Sequence, residues 1–264
     1  MSEDRDERTV DYGERGQVIV VPDGDALARL AAETLTSVIA EARAQSRNAA
    51  IALSGGSTPK KMGELLARPP YIERVHWDAV EIFWGDERFV PLSDSESNAG
   101  EAMRTFLQKV PIPDERVHPY ETELGDPDVA AERYARDLRA IVPLRDGIPT
   151  FDLILLGMGD DGHTASLFPG TAAIHEDQRF VVAHRVEKLD AMRLTLTPPV
   201  INAAEQVVFL VGGNGKAGTL HAVLDGEMDI DTFPSQVVRP VNGSLLWVVD
   251  RAAADRLDRR PNDG

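Results

Sequence analysis

The chain has 264 residues, with 28 Lys+Arg against 44 Asp+Glu and a formal net charge of −16. Binding to nucleic acid or an anionic membrane through surface charge grows with the number of cations that displace counterions, so neither is an expected partner. At 42% hydrophobic residues the chain can bury a real core, and the absence of cysteine excludes disulfides, thiolate catalysis, iron–sulfur ligation and the usual structural zinc sites.

The opening MSEDRDER is a charged, mostly acidic run without the apolar stretch of a signal peptide. No segment has the roughly 18 consecutive apolar residues of a membrane helix, and a cytoplasmic protein is expected. Residues 1–14 are expected to form a disordered acidic tail, 15–258 a single domain and 259–264 a C-terminal tail.

Short β-branched apolar runs then alternate with longer helical patterns, the signature of parallel strands joined by crossover helices in an α/β fold. Positions 18–21 read as the first strand, followed by a helix over 25–44 in which Leu27, Leu30, Leu35 and Val38 recur at helical spacing, capped by Asp23 or Asp25. Further strands are predicted at 49–53, 80–84, 151–156 and 206–211, each ending in a glycine-bearing or polar loop. Runs at 180–185, 192–196 and 245–249 also read as strands, and 252–257 as a short closing helix. The stretches 111–119 and 224–234 are the candidate hinges. Ligands in open parallel sheets bind beyond the carboxyl ends of the strands, so the loops after Leu53, Trp84, Leu156 and Val211 hold the candidate site.

The first of these loops reads Ser54-Gly55-Gly56-Ser57-Thr58-Pro59. Glycines let backbone approach a ligand, and a helix opening at Pro59 would offer free N–H groups to one phosphate. A simple helix cap uses the same residue types. The second loop begins Gly85-Asp86-Glu87-Arg88, an arginine beside two acids that suits either a structural ion pair or an oriented phosphate clamp.

The third loop, GMGDDGHTAS at 157–166, follows the apolar run FDLILL and matches the dinucleotide pattern G-x-G-x-x-G. Asp160 and Asp161 would stand where a pyrophosphate must sit, which argues against a dinucleotide. His163 at this strand end, expected at the start of a helix, can instead serve as a general base with Asp161 fixing its tautomer, or merely cap that helix. The fourth loop, GGNGKA at 212–217, carries Lys216, one of the few lysines in the chain and a candidate anion contact. The histidines at 76, 118, 175, 184 and 221 show no H-E-x-x-H or similar spacing, so no metal is expected, and no G-x-S-x-G elbow marks a serine hydrolase.

Together these loops resemble the 6-phosphogluconolactonases, in the wider fold group of glucosamine-6-phosphate deaminases and ribose-5-phosphate isomerases. The resemblance runs from about position 18 to 257. It rests on ALSGGSTP at 52–59, FWGDERFVP at 83–91, SN at 97–98, GMGDDGHTASLFPG at 157–170, RLTLT at 193–197, GKA at 215–217 and PSQVVRP at 234–240. It implies a three-layer αβα fold with an open, mostly parallel Rossmann-like sheet. It also implies cofactor-independent hydrolysis of 6-phospho-D-glucono-1,5-lactone, the second step of the oxidative pentose phosphate pathway, by a monomer or small homo-oligomer. In that likeness His163 and Asp161 match the catalytic pair. Ser54, Gly55, Gly56, Ser57, Thr58, Asp86, Arg88, Asn98, Arg193 and Lys216 match positions of substrate and phosphate recognition. Asp160 stands where Glu is common, and 184–192 lacks the Pro-rich stretch often found before the R-I-T-L-T string. The deaminase cousins share a phosphate loop and a G-x-D-G-H string. They typically show Asp-Glu-Tyr and Ile-Ala-Phe-Asn-Glu-Pro where this chain has Asp86-Glu87-Arg88 and Thr164-Ala165-Ser166-Leu167-Phe168-Pro169, which favours the lactonase.

Overall fold

The computed structural model describes residues 8–258. In chain order the elements are β1 (Arg8–Asp11), β2 (Gln17–Val21), α1 (Gly24–Ala44), β3 (Ala49–Leu53), α2 (Ser57–Leu66), α3 (Tyr71–Arg74), β4 (Val80–Trp84), β5 (Asp86–Arg88), α4 (Asn98–Thr105), α5 (Pro127–Ile141), β6 (Leu144–Arg145), β7 (Ile148–Pro149), β8 (Leu153–Leu156), β9 (Val181–Val186), β10 (Ala191–Leu196), α6 (Pro198–Ala203), β11 (Gln206–Val211), α7 (Ala217–Leu224) and β12 (Ser244–Asp250).

Seven strands form one sheet in the order β1-β2-β12-β11-β8-β3-β4, parallel throughout except for the β1–β2 pair. Strands β3 and β8 are buried along their whole length, as AAIAL and LILL require in a sheet covered on both faces. From β3 the chain steps outward to β4, whereas from β8 it steps the other way, to β11 and β12. Right-handed crossovers in opposite directions put α1 and α2 on one face and α6 and α7 on the other, giving three layers. The reversal lies between β3 and β8, so Leu53 and Leu156 end side by side at the switch point where such sheets bind ligands.

Local chemistry explains the boundaries. Asp23 starts α1, its carboxylate accepting from the N–H groups of Asp25 and Ala26 at 3.0 and 2.8 Å, and Leu27, Ala31, Leu35, Ile39 and Ala42 bury one face. Strand β4 is a sheet edge, and its exposed backbone is satisfied from elsewhere. The Tyr134 hydroxyl accepts from Trp84 N at 2.7 Å and donates to Trp84 O at 3.0 Å, and His118 N donates to Ile82 O at 2.8 Å. The stretch 111–119, a candidate hinge by composition, is thus docked along that edge, with Arg116 and His118 both bonded to Glu81. The second candidate hinge, 224–234, is likewise held, because the Gln236 amide donates to the carbonyls of Val223 and Glu227.

Three further expectations need correction. Positions 8–11 of the expected tail form β1, whose alternating residues pair antiparallel with β2; positions 1–7 and 259–264 lie outside the described residues. Helix α2 opens at Ser57 with Gly56 as its cap, so Pro59 sits third in the first turn, where its missing N–H is still not needed. The closing element is a single 3-10 turn, Ala253–Arg256.

Candidate active site

At Gly85 the chain leaves the parallel sheet. Its N–H donates to Leu53 O and its carbonyl accepts from Leu196 N, each at 2.8 Å, which joins the main sheet to a second, antiparallel sheet of order β5-β10-β9. Strand alternation then divides the GDER motif. Asp86 and Arg88 share one face of β5, while Glu87 points to the other and is fully buried. Glu87 accepts four hydrogen bonds, from the N–H groups of Arg88, Asn98 and Ala99, each at 2.8 Å, and from the Ser97 hydroxyl at 3.1 Å. Its carboxylate thus holds the first turn of α4 against β5. Burial pushes the Glu87 carboxyl upward, opposed by those backbone donors.

On the open face, Arg88 lies directly opposite Arg193 of β10, which in turn lies opposite His184 of β9. Like charges in directly paired positions repel, so the Arg88–Arg193 pair is one whose repulsion an anion in the cleft would relieve, while burial lowers the His184 imidazole below its ordinary value. Burial lowers the Arg193 guanidinium below its ordinary value, and the adjacent Arg88 adds to that. Arg88 is steadied by the Glu96 carbonyl.

The loop after β8 delivers the imidazole. His163 Nδ1 lies 2.5 Å from Asp161 Oδ1, which makes Nδ1 the protonated nitrogen and leaves Nε2 as the basic one. The ring stacks on Phe168, centroids 4.1 Å apart, and burial pushes its pKa down to about 4, opposed chiefly by the nearby Asp86 charge. Two glycines of the G-x-G-x-x-G string have steric rather than nucleotide roles. A Cβ on Gly159 would fall 2.0 Å from His163 Nδ1, and Gly162 has φ +77° with Phe233 pressed against its α-carbon side. No helix opens at His163, contrary to expectation, because Gly162, Ala165 at φ +46° and the Thr164–Leu167 bridge fold the segment into a compact turn.

Ser166 ties this turn to the antiparallel sheet. Its hydroxyl donates to Asp86 Oδ2 at 2.7 Å, its N–H donates to Thr195 Oγ1 at 3.2 Å, and its carbonyl is 2.7 Å from His184 Nε2. Asp86, Arg88, Asp161, His163, Ser166, Phe168, Lys188 and Arg193 line one open cleft of about 360 Å³. Among the sequence candidates, Asp161, His163, Asp86, Arg88 and Arg193 therefore converge. Lys216 does not join them directly. It is paired with Asp160 at 2.5 Å, and Asp160 is the residue that borders the cleft. Ser54, Gly55, Gly56 and Asn98 line a separate cavity of about 20 Å³, room for about one water. Asn98 links the two spaces, donating to the Asp86 carbonyl at 3.0 Å, while Ser57 and Thr58 form the first turn of α2.

Sequence reasoning assigned no role to Ser166, Phe168, His184 or Lys188. Lys188 pairs with Asp161 and lies 4.8 Å over the Phe168 ring, so it closes one side of the cleft. Its rarity in a lysine-poor chain was the available signal. His184 had none, since only the β9–β10 register sets it beside Arg193. No helix among the described residues is long and apolar enough to cross a membrane.

A family model described as glucosamine-6-phosphate isomerases/6-phosphogluconolactonase matches residues 22–247. A 6-phosphogluconolactonase of Synechocystis is 39% identical over 242 residues, covering 91% of this chain and 98% of its own. One of Nostoc is 38% identical over 241 residues, covering 91% and 98%. The solved structure of 6-phosphogluconolactonase from Trypanosoma cruzi superposes with a TM-score of 0.82 at 27% identity, covering 95% of this chain and 99% of that one. With its switch-point cleft and this likeness along nearly its whole length, the chain belongs to the glucosamine-6-phosphate isomerase/6-phosphogluconolactonase family.

Proposed function

We propose that this protein hydrolyses 6-phospho-D-glucono-1,5-lactone to 6-phospho-D-gluconate, with His163 as general base and Asp161 orienting it. The observation that carries this reading is the 2.5 Å Asp161–His163 pair in the same cleft as the facing Arg88 and Arg193. Water adds to the lactone carbonyl and gives its proton to His163 Nε2. The tetrahedral oxyanion then collapses, the bond from C1 to the ring oxygen breaks, and the imidazolium returns the proton to that oxygen. Asp161 stabilises the imidazolium while it exists. Arg88 and Arg193 bind the phosphate dianion, and their mutual repulsion is relieved when it arrives. In this role the protein acts in the cytoplasm without a cofactor, as a monomer or small homo-oligomer.

The test follows acid release from freshly made lactone, with the spontaneous rate subtracted, and ammonia release from glucosamine 6-phosphate. Lactone opening without ammonia is expected. His163→Ala is expected to lower kcat by about 10² to 10⁴-fold with KM little changed. Full kcat in that variant refutes the assignment, and ammonia release would move the chain to the deaminase branch.

A further inference from the structure

Away from the cleft, the end of α7 and the chain beyond β12 bring three metal-ligating side chains together. His221 and Asp225 are one helical turn apart, and Asp258 reaches them from the far end of the described chain. His221 Nδ1 stands 3.4 Å from Asp225 Oδ2 and 4.0 Å from Asp258 Oδ1, and one ligand atom from each residue lies within 4.8 Å of the others. The Nδ1 atom is buried and has no hydrogen-bond partner. The Asp225 side chain is only 7% exposed, yet the one N–H it receives is that of Asp258, at 3.2 Å.

The His221 side chain is 40% exposed, but its Nδ1 atom is buried without a partner, and the Asp225 carboxylate, with one backbone N–H, has room for further donors. At 3.4 Å the two groups are beyond the usual 2.9–3.0 Å of an N–H···O bond. That spacing instead matches two ligands of one ion. Bonds of about 2.0 to 2.2 Å at tetrahedral angles put donor atoms roughly 3.3 to 3.6 Å apart. One imidazole with two carboxylates suits a first-row divalent ion of the zinc type, whereas magnesium and calcium favour all-oxygen sets.

We infer that His221, Asp225 and Asp258 form a site for one zinc-type divalent cation, which fastens the chain at Asp258 to the end of α7. The exposed Asp258 supplies the movable third ligand, and a fourth position stays open to water. The site is separate from the cleft, so its role is to hold structure. It bears on the cleft only through α7, whose Thr219 hydroxyl donates to the Asp160 carbonyl at 2.6 Å.

The test titrates chelator-stripped, full-length protein with zinc chloride by calorimetry and follows its melting temperature. One equivalent is expected to bind. At a hundredfold excess over Kd, melting is expected to rise by about 5 °C or more. Asp258→Asn, at an exposed position where folding is not at risk, should weaken binding at least tenfold, and His221→Ala should abolish it. His163→Ala removes the cleft's own His–Asp pair and should still bind one equivalent, while magnesium chloride should give no shift in the wild type. Absence of zinc binding, wild-type affinity in both Asp258→Asn and His221→Ala, or an equivalent lost with His163 and kept without His221 would each overturn the site.

Discussion

The buried Glu87 makes the sharpest test of how the cleft is held. In Glu87→Gln one carboxylate oxygen becomes an NH₂ group of nearly the same shape. Oε1 serves the N–H groups of Arg88 and Asn98, and Oε2 serves Ala99 N–H and the Ser97 hydroxyl. The amide will keep its oxygen toward the two N–H groups on the Oε1 side, and Ser97 can rotate to accept from the new NH₂. Ala99 N–H is then left facing another donor. Losing one bond to a charged acceptor and orphaning a buried donor costs about 2 to 4 kcal/mol. Relief from burying the charge offsets part of that, leaving a net loss of roughly 2 kcal/mol. For a chain of this size the melting temperature should fall by about 4 °C, read by calorimetry or circular dichroism. Because the same strand presents Asp86 and Arg88 to the cleft, KM for the lactone should rise more than kcat falls. A melting temperature within 1 °C of wild type, with KM unchanged, would show that the carboxylate does not hold α4 to β5.

Other outcomes follow from the same geometry. With His163 pushed down to about 4, the imidazole is neutral and basic above that pH, so kcat, which is free of the substrate phosphate's own ionisation at about pH 6, should be flat from about pH 5.5 to 7.5 and fall only toward pH 4; an acid limb in kcat at 6.5 or above refutes it. The unfolded imidazole binds its proton near pH 6.5, so this group's contribution is full above 6.5 and is lost as pH drops toward 4; His163→Ala should flatten that part of the stability profile. Arg193→Gln removes one of two facing cations, so the ligand-free protein should melt about 1 to 2 °C higher while KM rises severalfold; unchanged KM would take Arg193 out of anion binding. In Gly55→Ala the new Cβ would fall 1.9 Å from Asn98 Oδ1 and push that side chain off the Asp86 carbonyl. A loss of about 1 to 3 kcal/mol is expected, and an unchanged melting temperature would refute the close packing.

The parallel strands and their glycine-rich ends were legible because their signals are local. Continuous apolar runs such as FDLILL have no other place than a doubly covered sheet, and a polar loop must follow where each run ends. The Asp161–His163 pair was legible for the same reason, since two residues of spacing in a tight turn bring the groups within bonding reach. Legibility failed where a local pattern admitted two outcomes. GHTAS read as a helix start, yet the left-handed conformations of Gly162 and Ala165 turn it back on itself, a conformational cost that the surrounding packing overrides. Strand β5 was hidden because three residues, DER, carry no periodicity.

By itself the sequence determined the class of fold, the four strand-end loops and the chemical types of the groups in them. Only the tertiary structure decided which of those groups meet. Lys216 is drawn to Asp160, and the Ser54–Gly56 loop opens on a small cavity of its own. Arg88, Arg193 and His184 form a row because the antiparallel register of β5, β10 and β9, in which Glu87 pairs with the buried Leu194, aligns residues distant in the chain. Such a register has no local signature, since it is chosen by the packing of whole strands and not by the residues that end up opposite each other.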